Sequence, residues 1–307
     1  DLERHIKEYL SIRCGMQEIF SYPWMEESYV NAILQSTDGI LALSTPPSPS
    51  ERFIRSSLLP NLCKAVAKNE RYYGDFAIFE TAQVFHDTDY TTPYDPREKL
   101  PSQRKNVAGA FVSAGKDVAA LFRKAKGVVE MMPRYTHMER YDFRQVEKPV
   151  WADEVVWLNI YLGEERIGDL ALLSKRVSMA CGIKNVNVML FQLDQDALVP
   201  LRSRTNTFTH LAEYPMTDYD ISLLLDGEVK WADVAETIEG VKNPLLHGAS
   251  FVDEYRGKQV PAGKKSLTAR LTIGSTEKTL TSAEIEEVAN SVLKKLSKRF
   301  GAELRSR

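Results

Sequence analysis

The amino-acid sequence predicts two α+β domains in succession. Helical and strand-like patterns interleave through roughly the first 200 residues without a repeated parallel unit, which favours a mainly antiparallel sheet. A basic, polar stretch at 200–207 interrupts this pattern, and a compact strand–helix–strand–strand–helix order follows it. A chain of 307 residues is long enough to bury a hydrophobic core in each domain.

The elements of the first domain follow from apolar spacing. Apolar residues recur at helical spacing in 1–13, and a strand is predicted at Glu18–Trp24. A helix is predicted from Arg55 to about Lys68. Further strands are predicted at 76–85, 107–112, 155–161, 166–173 and 186–193, with a helix at 116–132. The polar, proline-containing segment 86–103 is predicted to be an exposed excursion.

The second domain shows a shorter and more regular pattern. Strands are predicted at 219–225, 248–255 and 266–272, helices at 230–239 and 282–300, and a candidate last strand at 302–305. This βαββαβ order is the split βαβ arrangement of a ferredoxin-like domain. We therefore predict a first domain at 1–200, a linker at 201–208 and a second domain at 209–307.

Composition and charge exclude several classes of protein. The hydrophobic fraction of 43% and the charged fraction of 27% are those of a globular chain. With a net charge of -2, any contact with nucleic acid must come from a local patch. No apolar run is long enough to span a bilayer, and no leader sequence is visible, so we expect neither a membrane span nor a secretory signal. The opening at Asp1 fits an internal fragment of a longer protein better than a natural start.

The cysteines and histidines show no metal-ligand spacing. Cys14, Cys63 and Cys181 are far apart and form no CxxC pair, which indicates free thiols in a reducing cytosol. The five histidines form neither an HxxxH nor an HExxH pattern. We therefore expect a cytoplasmic protein without a metal site in this chain.

One segment combines turn-forming residues with positive charge. Residues 255–267 read Tyr-Arg-Gly-Lys-Gln-Val-Pro-Ala-Gly-Lys-Lys-Ser-Leu. Apolar residues then alternate as far as Ile273, as they do in a half-buried strand. We predict a β-hairpin whose tip carries positive charge.

This segment resembles the motif Y-R-G-x-Q-[IV]-P-x-G-K-K-S-L of the ferredoxin-fold anticodon-binding domain, which ends the β chain of bacterial phenylalanyl-tRNA synthetases. Three earlier segments resemble the same family in the same order: Gly15–Tyr22, Ile54–Leu62 and Phe76–Phe85. The resemblance implies an α+β fold with a class II synthetase-like antiparallel sheet module, followed by a ferredoxin-like βαββαβ domain.

The resemblance also implies a function. In that family the first module resembles a class II catalytic fold but catalyses nothing, and a separate α subunit performs the chemistry. This chain is therefore expected to be a non-catalytic portion of phenylalanine-tRNA ligase, which docks the α subunit and helps to bind tRNA-Phe in an α2β2 assembly. ATP and Mg²⁺ are expected in the complex but outside this chain, which is expected to hold no cofactor.

Matching positions assign tRNA contact to five cations and one aromatic residue: Arg256, Lys258, Lys264, Lys265, Arg270 and Tyr219. Cations on an exposed hairpin neutralise phosphates, and aromatic or guanidinium planes stack on loop bases. A solvated hairpin tip is the alternative for the cations, and a core position is the alternative for Tyr219. A second cluster, at 294–299, is predicted to be the exposed face and the last-turn cations of a helix.

The residues argue independently against catalysis. Adenylate formation needs cations on the ATP phosphates. Catalytic relatives place an arginine after the strand that ends at Phe85, and this chain has His86 and Asp87 there. Arg55 and Glu80 lie at matched motif positions and are predicted to be structural. We therefore predict no catalytic residue, with degenerate class II motif positions at Arg55, Glu80 and His86.

One other function fits the sequence, and a second does not. A stand-alone RNA-binding or interaction protein could carry the same two modules without a synthetase partner. An independent ATP-using ligase would need phosphate-binding arginines, which this sequence lacks.

Overall fold

The structure, a computed structural model, describes residues 2–91, 97, 99–199, 214–257 and 259–305. The chain divides into two compact units, Asp1–Asn206 and Thr207–Arg307. The predicted linker at 201–208 lies outside the described residues, so the bounds of the two domains stay a prediction.

The first unit is built on one large sheet. Its strands are β1 (Gln17–Glu18), β2 (Trp24–Met25), β3 (Phe53–Ile54), β4 (Asp75–Thr91), β5 (Leu100–Ser113), β6 (Asp142–Arg144), β7 (Ala152–Leu162), β8 (Glu165–Leu173) and β9 (Asn187–Asp194). Seven of them form a sheet in the order β1-β4-β5-β9-β8-β7-β6, in which only β1 and β4 pair in parallel. β2 and β3 form a separate antiparallel pair. The predicted mainly antiparallel α+β fold is confirmed.

Helices cover both faces of this sheet. They are α1 (Leu2–Glu8), α2 (Glu27–Ile33), α3 (Leu59–Asn69), α4 (Val118–Thr136) and α5 (Lys175–Ala180), and a π-helical turn at Tyr9–Arg13 continues α1. Alternate residues of β9 serve the two cores: Met189 and Phe191 pack with α1 and α4, whereas Val188 and Leu190 pack with α3 and α5. Because both faces of β9 are buried, its sequence is a continuous apolar run from Val188 to Phe191.

The second unit has the βαββαβ order that the sequence predicts. Its elements are β10 (Thr217–Asp226), α6 (Trp231–Glu239), β11 (Leu246–Tyr255), β12 (Lys264–Ile273), α7 (Ser282–Phe300) and β13 (Glu303–Leu304). The strands form an antiparallel sheet in the order β11-β12-β10-β13. One core joins α6 and α7 to alternate residues of the strands, such as Leu267 and Leu271.

The bounds of α7 follow from its capping residues. The Thr281 backbone N–H donates to the Glu284 carboxylate (2.8 Å), and the Glu284 N–H donates to the Thr281 hydroxyl (3.4 Å). This reciprocal capping box satisfies two backbone groups at the start of the helix. Gly301, at a φ of 63°, ends the helix in the left-handed conformation that glycine adopts at little cost.

The predicted strand at Glu18–Trp24 is wrong. Gln17–Glu18 pairs with β4, the Ile19 N–H still donates to the Phe79 carbonyl oxygen (2.8 Å), and Trp24–Met25 belongs to the separate pair. The chain leaves the sheet because the backbone N–H of Ser21 donates to the Glu80 carboxylate (2.9 Å) and not to a neighbouring strand.

The segment 86–103 is exposed at Asp87, Thr88, Tyr90 and Gln103, as predicted, but its two arms are paired extensions of strands that the sequence did not predict. β4 continues to Thr91 and β5 begins at Leu100, with His86 opposite Ser102 in the ladder. Backbone hydrogen bonds hold these two arms together, and their polar residues show no apolar alternation from which a strand could be predicted. Residues 92–96 and 98 lie outside the described part of the chain.

Four short elements have no counterpart in the sequence prediction. α2 and α5 contain seven and six residues, β6 contains three and β3 contains two. Each is too short to display two full periods of its apolar pattern.

All three cysteines are free thiols; Cys63 and Cys181 are buried, and Cys14 is partly exposed. No helix of the described residues is both long and apolar enough to cross a membrane.

The close approach of β8 to β9 predicts opposite effects for two glycine substitutions. A Cβ atom on Gly168 would lie 2.0 Å from the carbonyl oxygen of Gln192, whereas a Cβ on Gly127, within α4, would meet no atom within 4 Å. Gly168→Ala should lower the free energy of unfolding by about 1–3 kcal/mol or more through overpacking. Gly127→Ala should raise it by about 0.5–1 kcal/mol through helix propensity. Urea unfolding measures both, and equal effects of the two variants would contradict the prediction.

Candidate functional site

A buried ion pair organises one edge of the first unit. The Arg55 guanidinium lies 3.1 Å from the Glu80 carboxylate, and both side chains are almost fully buried. Arg55 also donates through Nε to the carbonyl oxygen of Gln83 (2.6 Å). Burial lowers the pKa of Arg55, and the Glu80 charge opposes that shift. Each of these two buried charges therefore has an opposite charge as its partner inside the protein.

The same pair fixes the segment that leaves the sheet after β1. Glu80 accepts hydrogen bonds from the Ser21 backbone N–H (2.9 Å) and hydroxyl (2.8 Å). The Asn61 amide donates to the Ser21 hydroxyl (3.0 Å) and to the carbonyl oxygen of Tyr22 (2.9 Å). A backbone that is held by four polar contacts presents its outward side chains in one arrangement.

Those outward side chains are large and apolar. Phe20 is 82% exposed and Tyr22 is 71% exposed. The Tyr22 ring stacks on Trp24 with centroids 4.5 Å apart, and the Lys7 ammonium lies 5.9 Å from the centre of the Phe20 ring. A cleft of about 520 Å³ adjoins them, and Lys64 lines it. We call Phe20, Tyr22 and Trp24 the aromatic surface.

His86 does not supply a cationic site. Burial and the charge of Arg104 both lower the pKa of His86 below its ordinary value, against the opposing effect of Asp194. Arg104 itself pairs with Asp194 (2.8 Å). Among the described residues, no three His, Cys, Asp or Glu side chains are close enough together to hold a metal ion.

In the second unit, one carboxylate holds two of the sequence-predicted RNA-binding cations. Glu254 accepts from the Lys265 ammonium (2.7 Å) and from Nε of Arg256 (2.7 Å). Burial acts to raise the pKa of Glu254, but these two hydrogen bonds outweigh it and lower the pKa. The Lys265 side chain is only 4% exposed, so its ammonium is buried beside the hairpin turn, where β12 begins, and does not lie on the surface. Arg256 also donates to the carbonyl oxygen of Gly227 (2.8 Å) and remains largely exposed.

The other predicted residues occupy different environments. Arg270 makes a bidentate pair with Asp220 (2.7 and 2.8 Å), which lowers the pKa of Asp220. Tyr219 is half-buried and packs against the core of the second unit. Lys264 is partly exposed and pairs with no carboxylate within the described range, and Lys258 lies outside that range.

An aromatic platform beside the hairpin was missed by the sequence reasoning. Nη2 of Arg305 donates to the Gln259 side chain (2.9 Å), and its guanidinium lies 5.4 Å from the centre of the Tyr255 ring. The Arg305 backbone N–H bonds to the carbonyl oxygen of Ser222 (2.9 Å), which brings the end of the chain beside the hairpin. The only sequence signal was Tyr255 itself, because Arg305 is 50 residues away in the sequence.

The second basic cluster lies on the exposed face and last turn of α7, as the sequence predicts, and two of its cations also contact α6. Lys295 donates to the carbonyl oxygen of Gly240, and Arg299 contacts Glu236 (2.8 Å). These two cations therefore hold α7 against the end of α6. Lys294 is exposed and has no carboxylate partner among the described residues.

Comparison with known proteins gives a family for each unit. The profile of the "Phenylalanyl tRNA synthetase beta chain CLM domain" matches residues 1–195, and that of the "Ferredoxin-fold anticodon binding domain" matches residues 212–305. The phenylalanine-tRNA ligase beta subunit of Carboxydothermus hydrogenoformans is 28% identical over 100% of this chain and 38% of its own length. That of Oceanobacillus iheyensis is 27% identical over 99% of this chain and 38% of its own length. The chain thus spans about 38% of the length of these curated relatives.

A solved structure is similar in fold. A pyrrolysyl-tRNA synthetase from Desulfitobacterium hafniense matches with a TM-score of 0.51 at 11% identity, over 64% of this chain and 66% of that one. The likeness confirms the predicted class II synthetase-like fold and carries no statement about chemistry.

The buried ion pair predicts a large effect from a small change. Glu80→Gln would leave the Arg55 charge buried without its partner, which should cost about 3–5 kcal/mol of unfolding free energy. Glu27→Gln removes a carboxylate from the exposed pair with Arg52 (3.1 Å) and should cost less than about 1 kcal/mol. The double variant Arg55→Met/Glu80→Leu should lose less than the sum of its two single changes, because no charge is left buried. Chemical denaturation measures all of these, and an equal cost for Glu80→Gln and Glu27→Gln would refute the prediction.

Proposed function

Because the chain belongs to the phenylalanyl-tRNA synthetase beta chain family, we propose that it is a non-catalytic part of the β subunit of a phenylalanine-tRNA ligase. The observation that carries the non-catalytic assignment is the Arg55–Glu80 pair. An arginine whose Nε and Nη1 donate to protein acceptors, inside the protein, is not available to an ATP phosphate. The function of the chain is then binding and orientation, which alone can contribute many orders of magnitude to a rate.

The remaining parts of the proposal concern the assembly. The catalytic α subunit would hold ATP and Mg²⁺ and attach phenylalanine to tRNA-Phe, within a cytoplasmic α2β2 heterotetramer. The rival function, a stand-alone RNA-binding module, is less well supported, because similar curated proteins are named as ligase beta subunits.

We propose that the aromatic surface docks the α subunit. Large apolar rings that are mostly exposed to water gain free energy when a partner covers them. Rings that the polar contacts of Ser21 already hold in place lose little conformational entropy on binding. β1 also pairs with a strand on one side only in the described sheet, which leaves backbone groups beside these rings for a partner.

Truncation of the aromatic surface should therefore weaken the complex. In the full β subunit, Phe20→Ala/Tyr22→Ala is expected to weaken association with the α subunit of the same genome by at least about 30-fold, which corresponds to the ~2 kcal/mol that truncation of one interface anchor costs. Val155→Ala removes a side chain that is 75% exposed on β7 and should leave association unchanged. Co-purification and analytical ultracentrifugation measure the effect. Wild-type association of the double variant would exclude this surface as the docking site.

We propose that the hairpin and the aromatic platform contact tRNA. Lys264 is a partly exposed cation and Arg256 an exposed one beside the hairpin turn, and the Tyr255 ring, 41% exposed, carries the Arg305 guanidinium on it. Phosphate contacts by the two cations and stacking of a base on the ring or the guanidinium plane together make an RNA interface. Lys265 and Arg270 would support this surface through their ion pairs.

The salt dependence of tRNA binding tests this division of roles. Lys264→Gln in the assembled ligase should lower the slope of log K against log salt by about one for each phosphate that the lysine neutralises. Lys265→Met should lower the stability of the second unit, because Glu254 would lose a buried partner, and should leave that slope unchanged. Lys294→Gln, an exposed cation on α7, is the matched control. A reduced slope for Lys265→Met together with an unchanged slope for Lys264→Gln would reverse the assignment.

A further inference from the structure

The C-terminal end of α3 presents two adjacent tyrosines to solvent. Tyr72 is 66% exposed and Tyr73 is 60% exposed. Their backbone N–H groups donate to the carbonyl oxygen of Asn69 (2.9 and 3.1 Å), which fixes them in a turn. The Arg71 guanidinium lies 4.6 Å from the centre of the Tyr72 ring, and Tyr73 meets Phe76 edge to face. The two rings are therefore held in place and yet uncovered.

Three cations lie at the same end of the sheet. Arg71 directly precedes the tyrosines. The Glu70 carboxylate accepts from the backbone N–H of Lys184 (3.1 Å), which places that lysine beside the end of α3. The Gly74 carbonyl oxygen accepts from the N–H of Ala114 (2.8 Å), and Lys116 follows two residues later. We call Arg71, Tyr72, Tyr73, Lys116 and Lys184 the tyrosine patch.

The carboxylates around this patch are committed to other groups. Glu70 is used by backbone N–H groups, and Asp75 accepts from the Ser113 hydroxyl (2.5 Å). Asp117 caps the start of α4 by accepting from the Ala120 N–H (2.8 Å), where the helix dipole offsets its charge. None of the three cations pairs with a carboxylate in the part of the chain that the structure describes, and all three are exposed.

This combination distinguishes the patch from the aromatic surface. The aromatic surface is apolar and adjoins a cleft. The tyrosine patch instead combines two rings with three cations that have no carboxylate partner among the described residues. Cations that lack carboxylate partners favour a polyanion, and exposed rings offer stacking platforms to unpaired bases. The Tyr72 ring, with Arg71 on it, keeps enough exposure to receive a base.

We propose that the tyrosine patch is a second RNA contact, on the first unit, which binds the phosphates and an unpaired base of the tRNA. The inference rests on the proposed function, because that function supplies the RNA. It extends RNA contact from the second unit, where the sequence motif lies, to a unit that carries no RNA-binding motif.

Two sets of variants in the assembled full-length ligase separate charge from stacking. Arg71→Gln/Lys116→Gln/Lys184→Gln should weaken tRNA binding and lower the slope of log K against log salt by about two to three, at about 0.7–0.9 per phosphate. Tyr72→Ala/Tyr73→Ala should weaken binding about fivefold or more at every salt concentration, with the slope unchanged. Tyr72→Phe/Tyr73→Phe should bind as the wild type does. Lys175→Gln controls for net charge, because Lys175 is an exposed cation on α5 with no carboxylate partner in the described part of the chain.

The outcomes are separable from those of the proposed function. If the wild-type ligase binds tRNA-Phe and both sets of variants bind with wild-type affinity and slope, the tyrosine patch is not an RNA contact, and the proposed function is unaffected. If the variants fold but no longer assemble with the α subunit, the patch is a protein interface and the inference is overturned. If the wild-type assembly binds no tRNA, both proposals fall together.

Discussion

Arg55 and Glu80 are charged groups that are almost fully buried, and they are stable there because each neutralises the charge of the other. The consequence reaches beyond the pair. Glu80 accepts a hydrogen bond from the Ser21 backbone N–H, so the chain leaves the sheet after β1. The rings of Phe20 and Tyr22 then face solvent in a fixed arrangement. Replacing the pair with apolar residues could preserve stability but would release the segment that carries the aromatic surface. In this fold the ion pair therefore fixes the geometry of the aromatic surface more than it adds to stability.

The second unit uses carboxylates in the same way. Glu254 binds Lys265 and Arg256, and Asp220 binds Arg270, so the cations that the sequence groups together form ion pairs along the hairpin. The number of cations in a motif is thus a poor guide to the positive surface it presents. Whether a cation contributes to the positive surface depends on whether a carboxylate on the neighbouring strand can pair with it. Strand register determines this, as it does where Asp220 lies opposite Arg270.

Sequence reasoning succeeded where a pattern extends over several periods or is fixed by local chemistry. The bounds of α7 were predictable because Thr281, Glu284 and Gly301 cap it, and the hairpin was predictable from its turn residues. It failed where a contact between residues that are distant in the sequence determines the local structure. Nothing near Ser21 shows that Glu80 will take its N–H, and nothing near Tyr255 shows that Arg305 will lie on its ring. The extensions of β4 and β5 beyond Phe85 and before Arg104 were not predicted as strands, because backbone hydrogen bonds hold them together and their polar side chains show no alternation.

A chain with a net charge of -2 can still carry RNA-binding surfaces, because carboxylates act over short distances in salt. An acid that is bound to backbone N–H groups or to a buried lysine, as Glu70 and Glu254 are, loses part of its effect on phosphates that approach from solvent. Cations without such partners, among them Lys264 and Lys184, then dominate the local field. The pairing of charges within each unit, and not their sum, therefore determines where the molecule is positive.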